Sequence, residues 1–312
     1  MARDAYAELT DRILALLAEG TVPWRKPWSG GGAPVNFAGR PYRGINAVVL
    51  AVAGHADVHW ATFNQVQKLG GRVRKGEHGT PIVFWAMLDK KRSAADPHEA
   101  DASRPKRPAP AKGESPQRPA KDDRRVPLAR LYIVFNAEQT EGLTPTWASE
   151  PARTFDPIER ADFLTESVPN PPVIVHRGGR ALYLPSADRI ELPAFAAFTS
   201  PAAYYSTLFH ELGHATGHSS RLGRPGVETF DHFGSGRYAR EELVAELTAA
   251  FMCGEAGISP AVIENQAAYI SSWSERLRAD SRLVVQAAGQ AQRAADYLLG
   301  RMATQHEGPA AA

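Results

Sequence analysis

The amino-acid sequence predicts an α+β fold, and three patterns along the chain support this class. Two strand-like runs rich in β-branched and aromatic residues, Pro81–Trp85 and Leu131–Phe135, lie in the first half. Three shorter runs, at 173–175, 181–184 and 189–192, read as a meander in the second half. Apolar residues at helical spacing begin the chain and return after the last run. Strands and helices thus occupy separate stretches, as is typical of α+β proteins.

The helices are predicted from apolar spacing and from capping residues. Leu9, Ile13, Leu16 and Leu17 fall on one face of a helix near the N-terminus. Asp156 followed by Pro157 is typical of a helix start. Later helices are predicted from Ser200-Pro201 to about Gly217, over about 239–254, and as a final pair between Ser259-Pro260 and about Gly300.

Composition excludes several protein classes. The chain of 312 residues is long enough for two domains, and its formal net charge is +2. The single cysteine, Cys253, excludes a disulfide framework and any zinc site built from several cysteines. The longest apolar stretch, Ala47–Gly54, is too short to cross a bilayer, and the N-terminus does not resemble a signal peptide. We therefore expect a cytoplasmic protein with no membrane partner.

One segment interrupts the first half. Residues 90–125 are rich in Pro, Ala, Lys and Arg and contain no aromatic residue, so we expect a disordered basic insertion between two strands of one sheet. The expected organisation is a first domain at 1–145, a second at 155–302 and a frayed tail at 303–312.

The strongest chemical pattern is the sequence His210-Glu211-Leu212-Gly213-His214. Residues four apart share one face of a helix, so both imidazoles can reach a single ion. The glutamate between them can act as a general base, which is the arrangement of HExxH metallopeptidases. The pattern predicts a catalytic-type site with His210 and His214 as metal ligands and Glu211 as the catalytic residue.

A third ligand is expected on a later helix. His218 is too far along its helix, about 12 Å from His210, to bind the same ion. Ser220 stands where a metzincin would have its third histidine. Glu242 is therefore the expected ligand, Glu246 the expected hydrogen-bond acceptor from a ligand histidine, and Glu241 or Glu246 the alternative ligand.

Peptide hydrolysis also needs a donor for the developing oxyanion and a place for an extended peptide. The strand at 189–192 could be a free edge that pairs with such a peptide, or an ordinary edge strand. Sequence reasoning does not rank the candidate oxyanion donors, which are Tyr204, Tyr205, Tyr238, His218 and His232.

Cations and aromatic residues alternate near the N-terminus, as single-stranded nucleic acid requires. They predict a DNA-binding surface, although tryptophans are more often core residues than stacking platforms. The predicted nucleic-acid-binding residues are Trp24, Arg25, Lys26, Trp28, Tyr42, Arg43, Arg72, Arg74 and Lys75.

The near-neutral total charge hides an asymmetry. The first half of the chain carries an excess of basic residues, most of it within 90–125, and the second half carries an excess of acidic residues. DNA affinity would therefore come from a local patch, from the basic insertion, or from both.

These motifs resemble ArdC-type antirestriction proteins, with matching order over nearly the whole chain. The resemblance implies a single-stranded-DNA-binding first domain, also found attached to plasmid primases, and a zincin-like, gluzincin-type metallopeptidase second domain that binds one Zn²⁺ or another divalent metal. The motifs that carry it are Pro23-Trp24, Tyr42–Asn46, Trp60–Phe63, Gly71–Gly76, Gly79–Pro81, Val134–Gln139, Pro185–Ile190, Leu192-Pro193, Tyr204-Tyr205, His210–His214, Gly217-His218, His232–Ser235 and Tyr238–Glu246.

The resemblance implies a protein of conjugative plasmids or related elements that binds the incoming strand and protects it from host restriction. Two functions remain open at this point: a DNA-binding metallopeptidase that cleaves a host protein, and a non-catalytic protein that shields DNA and has a structural or vestigial metal site. A third alternative, a primase-associated accessory module, rests on the first domain alone.

Overall fold

The computed structural model describes residues 4–24, 33–89, 125–143, 156–228, 236–259 and 266–301. Residues 90–124 of the predicted insertion lie outside this description, as does the predicted tail at 303–312. The chain forms two compact units, Met1–Val83 with Leu131–Ala312, and Phe84–Arg130. The expected division at residues 145–155 stays a prediction.

The first helix, α1 (Ala5–Ala18), begins at Asp4, whose side chain accepts a hydrogen bond from the amide of Tyr6. Leu9, Ile13 and Leu17 are buried, as their spacing predicts. The helix packs against two late helices, α8 (Gln266–Ala279) and α9 (Leu283–Leu298). The N-terminus of the chain is therefore integrated with its C-terminal part.

A four-stranded sheet organises the first part of the chain. Its order is β1 (Val35–Asn36), β2 (His59–Thr62), β5 (Arg125–Asn136) and β4 (Thr80–Asp89). β1 runs parallel to β2, and β2 runs antiparallel to β5. The two strand-like runs of the first half are thus neighbours in one sheet, which confirms the sequence-based expectation.

Several short elements of this part were not predicted. Two helices, α2 (Ile45–Ala51) and α3 (Phe63–Lys68), precede a two-stranded sheet of β3 (Arg72–Val73) and β6 (Thr140–Glu141). They are too short for a helical or alternating period to stand out in the sequence. α2 is almost entirely buried, so its apolar residues show no polar face.

The second half begins with α4 (Pro157–Glu166), capped by Asp156 as predicted. A three-stranded sheet follows, with β7 (Val173–His176), β8 (Leu182–Leu184) and β9 (Arg189–Leu192) in the order β7-β9-β8. Neither the meander order nor the expected edge position of β9 is correct. β9 pairs with β7 in parallel and with β8 antiparallel, so both of its edges are occupied.

The helical part contains α5 (Pro201–Ala215), α6 (Pro225–Glu228) and α7 (Gly236–Ala256) together with α8 and α9. α7 packs against α5 on one side and α9 on another. Gly213 allows the contact between α5 and α7, since a Cβ built there would lie 3.0 Å from the Cα of Ala245.

Within the described residues, none of the helices combines the length and the hydropathy that crossing a membrane requires.

Candidate metal centre

Two packed helices supply the site. α5 begins at Ser200, whose hydroxyl accepts a hydrogen bond from the amide of Ala203, and Pro201 occupies its first turn. Its second half carries His210, Glu211 and His214. The facing helix α7 carries the three glutamates that the sequence offers as further ligands or partners, which are Glu241, Glu242 and Glu246.

His210, His214 and Glu242 converge. One ligand atom of each lies within 4.8 Å of the others. The Nε2 atoms of the two histidines are 3.2 Å apart. Glu242 places Oε2 3.7 Å from His210 Nε2 and Oε1 3.6 Å from His214 Nε2.

This donor set fits a divalent metal. Two imidazole nitrogens that bind one tetrahedral ion at about 2.0–2.1 Å lie about 3.3 Å apart, close to the separation between His210 and His214. Two imidazoles and one carboxylate also make up the three-ligand set of open catalytic zinc sites. Within the described residues, no second cluster of three such side chains is found.

Glu211 is buried, with 6% of its surface exposed. Its charge contributes to the electrostatics of both His214 and Tyr238, so its carboxylate belongs to the same site. A buried carboxylate beside a cluster of imidazoles has the chemistry of a general base.

Glu241 is the carboxylate that lies beside His214. Its Oε1 lies 3.4 Å from His214 Nδ1. Burial alone would lower the pKa of His214, but the hydrogen bond to Glu241 and the charges of Glu242 and Glu211 outweigh burial and raise this pKa to about 9. Glu246 is buried one turn further along α7, and its role stays a prediction.

Sequence reasoning did not identify Arg224, which donates hydrogen bonds from Nε and Nη2 to the two carboxylate oxygens of Glu241. Arg224 lies between α5 and α6, in a segment without a motif. A single buried arginine outside any periodic element gives no sequence pattern from which this contact could be predicted.

The structure distinguishes among the candidate oxyanion donors. Burial, the charge of Glu242, a hydrogen bond to Glu242 and the charge of Glu211 raise the pKa of Tyr238, so its phenol lies at the site. His232 lies outside the described residues. The other candidates bond elsewhere: Tyr204 with His176 at 3.0 Å, Tyr205 with Asp162 at 2.9 Å and His218 with Ser220 at 2.8 Å.

The predicted DNA-stacking residue Trp24 is a core residue, with 1% of its surface exposed. Its indole nitrogen donates a hydrogen bond to the hydroxyl of Tyr269 at 3.0 Å, and its ring meets that of Trp273 edge-on. A base cannot stack on a ring that is enclosed by protein. The neighbouring predicted residues Arg25, Lys26 and Trp28 lie outside the described residues.

Of the predicted residues Tyr42 and Arg43, the first is half-buried and the second contacts α9. Burial raises the pKa of Tyr42 to about 12. The guanidinium of Arg43 forms an ion pair with the buried carboxylate of Asp296, and the next amide, that of Gly44, donates to Gln292 at 2.9 Å. Arg43 thus already has an acidic partner within the protein.

The other predicted cations lie on the surface in residues 70–79, which we call the basic loop. Arg72, Arg74 and Lys75 are all exposed. Arg72 pairs with Glu141 at 2.6 Å, and Arg74 pairs with Glu77 at 3.1 Å.

An apolar patch beside the basic loop was also missed. It consists of Phe63, Ile133 and Phe135; Phe63 and Ile133 are 46% and 47% exposed, and Phe135 is half-buried. The rings of Phe63 and Phe135 meet edge-on, with their centroids 6.4 Å apart. A Cβ built on Gly79 would lie 2.3 Å from Ile133 and 3.1 Å from Phe135, so the end of the basic loop packs directly on the patch.

Two families match successive parts of the chain. Residues 3–135 match the N-terminal domain of the anti-restriction factor ArdC, and residues 162–290 match a zincin-like metallopeptidase. The chain also resembles the antirestriction protein ArdC of plasmid R388, in metal-free and Mn(II)-bound crystal structures, with 34% identity and a TM-score of 0.71. These matches cover 98% and 97% of this chain and all of the R388 protein.

Relatives in sequence include bacterial proteins of different length. The uncharacterized protein y4eC of Sinorhizobium fredii is 38% identical over 304 residues, which cover 95% of this chain and 91% of y4eC. Two DNA primases named TraC, both of Escherichia coli, are 37% and 36% identical over 93% and 94% of this chain. The matched region spans 19% of the first primase and 27% of the second.

Proposed function

The chain belongs to the ArdC family of antirestriction proteins and contains a zincin-like domain, and on this premise we propose that it is a metal-dependent peptidase that also binds single-stranded DNA. One observation carries the peptidase proposal: two imidazoles and one carboxylate converge from α5 and α7, with Glu211 between the two histidines in sequence. Zn²⁺ is the proposed metal, and Mn²⁺ is the alternative that the R388 protein suggests.

Each residue of the site has a proposed part in peptide hydrolysis. His210, His214 and Glu242 would hold the ion, which would supply polarisation of a carbonyl and a lower pKa for a water molecule. The carboxylate of Glu211 accepts a proton from the attacking water and delivers it to the leaving amine nitrogen. The phenol of Tyr238 would exchange its hydrogen bond to Glu242 for one to the carbonyl oxygen as negative charge develops there.

A catalytic role is favoured over a structural one by the number of donors. A structural zinc site has four protein ligands, whereas three converge among the described residues here. A structural site would also need no buried carboxylate beside the histidines. Metal content and peptide hydrolysis, measured on the wild type and on Glu211→Gln, test this choice. A variant that keeps its metal and retains full activity would exclude Glu211 as the base.

For DNA binding, we propose that the strand lies across the basic loop and the apolar patch. The burial of Trp24 removes the stacking position that the sequence suggested, and Phe63 offers an exposed ring instead. Gly79, at the end of the basic loop, packs on the apolar patch. Cations that can bind phosphates therefore lie next to rings on which bases can stack. Filter binding of single-stranded against duplex DNA over a range of salt concentrations tests this proposal, with tighter binding of the single strand expected.

In the non-catalytic alternative, the protein shields DNA through the same surface and the metal site takes no part in a reaction. It requires that antirestriction in a conjugation assay survive Glu211→Gln undiminished. The accessory-module alternative is suggested by the TraC relatives, in which the match covers 19% and 27% of the length. Stimulation of priming by this chain, added to a primase on single-stranded DNA, would support it.

A further inference from the structure

We propose that Arg224 is a positioning residue for the metal centre, acting on His214 through Glu241. The inference rests on the proposed metal site and adds a residue that neither helix of the motif carries. Arg224 lies in the connection that follows α5, ten residues after His214.

Four hydrogen bonds hold the guanidinium of Arg224, a residue with 7% of its surface exposed. Nε donates to Glu241 Oε2 at 2.9 Å and Nη2 to Glu241 Oε1 at 2.5 Å. Nη1 donates to the hydroxyl of Thr216 at 2.6 Å, and Nη2 also donates to the carbonyl of Gly213 at 2.8 Å. The guanidinium therefore links α7 to the C-terminal end of α5. These two helices carry the proposed metal ligands.

The backbone beside the guanidinium leaves room for it. A Cβ built on Gly217 would lie 3.0 Å from Arg224 Nη2 and 2.4 Å from Cγ2 of Val227. A side chain at position 217 would therefore displace either the arginine or the residue that packs beside it. The absence of a side chain at Gly217 therefore allows Arg224 and Val227 to pack against this backbone.

Glu241 contacts both Arg224 and His214, so Arg224 can orient the histidine through it. Its Oε1, which accepts the Nη2 bond, also lies 3.4 Å from His214 Nδ1. A carboxylate on Nδ1 holds the proton on that nitrogen and leaves the lone pair of Nε2 for a metal. Glu241 is itself buried, and the guanidinium gives its carboxylate a bidentate cationic partner.

Charge balance supports the same role. Carboxylate oxygens of Glu241 and Glu242 lie 3.4 and 3.6 Å from the two ring nitrogens of His214, and the buried Glu211 is on the same helix as His214. The Arg224 guanidinium offsets the charge of Glu241, which leaves two carboxylates to balance the two charges of a divalent ion. Removal of Arg224 would release the Glu241 carboxylate from its place beside His214 Nδ1, so that the imidazole would be oriented less firmly toward a metal.

The chain offers a matched control in Arg221. It lies in the same connection, its side chain is 1% exposed, and it forms a bidentate ion pair with Asp188 at 2.8 and 2.9 Å. Asp188 lies in the turn between β8 and β9 rather than on α7. Arg221→Met therefore removes another bidentate arginine–carboxylate pair, with a more exposed carboxylate that is not the partner of His214.

The experiment compares the metal affinity and the thermal stability of metal-free proteins. Wild type, Arg224→Met, Glu241→Gln and Arg221→Met are titrated with Zn²⁺ against a chelator and with Co²⁺, whose visible spectrum reports coordination. We expect Arg224→Met and Glu241→Gln each to weaken Zn²⁺ binding about 10- to 100-fold and to change the Co²⁺ spectrum. Arg221→Met should lower the melting temperature but change the affinity less than about 3-fold.

Two further measurements separate positioning from stability. The double variant Arg224→Met/Glu241→Gln should bind Zn²⁺ about as weakly as either single variant, because both changes interrupt one path. Arg224→Lys, which lacks the fork, should restore only part of the affinity. Wild-type affinity in a folded Arg224→Met, or equal losses in Arg224→Met and Arg221→Met, would overturn the inference. Failure of the wild type to bind metal would instead refute the proposed function.

Discussion

Gly213 lies against Ala245 so closely that a Cβ on the glycine would be 3.0 Å from the alanine Cα, with Thr248 Cβ at 3.2 Å. Gly213 is the residue between Glu211 and His214 that sets how near α5 comes to α7. The distance from the two histidines to Glu242 depends on that approach. Helix packing at this glycine is therefore linked to the separation of the three side chains that we propose as metal ligands.

The first prediction concerns that contact. Gly213→Ala should destabilise the protein by about 1–3 kcal/mol because the added methyl must push the helices apart, and it should weaken metal binding as Glu242 withdraws. Urea unfolding and Zn²⁺ titration measure the two effects. Gly289→Ala on α9 is the control: no heavy atom lies within 4 Å of its Cβ, so it should be neutral or stabilising by up to about 1 kcal/mol. Equal losses for the two variants would refute the coupling.

The second prediction concerns the general base. Glu211→Gln should retain the metal, because its side chain is not one of the converging donors, and should lower peptide hydrolysis about 100-fold or more. His210→Ala, in contrast, should lose the metal as well. Metal analysis of the purified variants and hydrolysis of unfolded protein substrates distinguish the two. Antirestriction in conjugation should fall in both variants, and its undiminished survival in Glu211→Gln would exclude catalysis as its basis.

The third prediction separates the DNA surface from the core. Phe63→Ala should weaken single-stranded DNA binding by about 1–3 kcal/mol with little change in stability, because the ring is exposed. Phe163→Ala, which removes another exposed phenylalanine, on α4, should leave DNA affinity unchanged. Fluorescence anisotropy with a labelled oligonucleotide measures both variants. If the two lower the affinity equally, the apolar patch is not the stacking site.

Trp24→Ala is expected to act on stability instead. Loss of the enclosed indole and of its hydrogen bond to Tyr269 should lower the free energy of unfolding by about 3–5 kcal/mol. The DNA affinity of the fraction that remains folded should be close to that of wild type. A Trp24 variant that keeps its stability but loses DNA binding would restore the stacking role predicted from sequence.

A pH-dependent prediction follows from Asp188. Burial acts to raise its pKa, but hydrogen bonds from Arg221 and Tyr183 outweigh burial and hold it below its usual value. A lowered folded-state pKa stabilises the protein above the unfolded value of about 3.9, and this contribution is lost as pH falls through the folded value. Asp188→Asn should therefore cost about 1–2 kcal/mol at pH 7 and progressively less below about pH 4.

The measurement is urea unfolding of wild type and Asp188→Asn between pH 7 and pH 3. Asn tolerates the left-handed backbone of position 188, where φ is 44°, so backbone strain does not confound the comparison. A difference in stability that stays constant down to pH 3 would show that the ion pair does not titrate in this range.

Local patterns predicted much of the architecture. The spacing of Leu9, Ile13 and Leu17 correctly predicted α1, and Asp156 with Pro157 correctly predicted the start of α4. These features depend on residues within one or two turns of each other, whose geometry is set by the helix itself. The strands at 173–176, 182–184 and 189–192 were also recognised, but their order was not, because pairing between strands is a non-local choice.

The sequence by itself determined that His210, Glu211 and His214 share one turn of α5, since a helix brings residues four apart together in any fold. Only the tertiary structure decided that Glu242 faces both histidines while its neighbour Glu241 faces Nδ1 of His214, because the face that α7 presents to α5 is set by contacts between the two helices. The same holds for Trp24. Its cationic neighbours in the sequence suggested a DNA-stacking residue, but in the structure its ring is buried against Tyr269 and Trp273, about 250 residues later in the chain. Whether this one tryptophan is buried depends on contacts with distant segments, and the local pattern around Trp24 does not decide it.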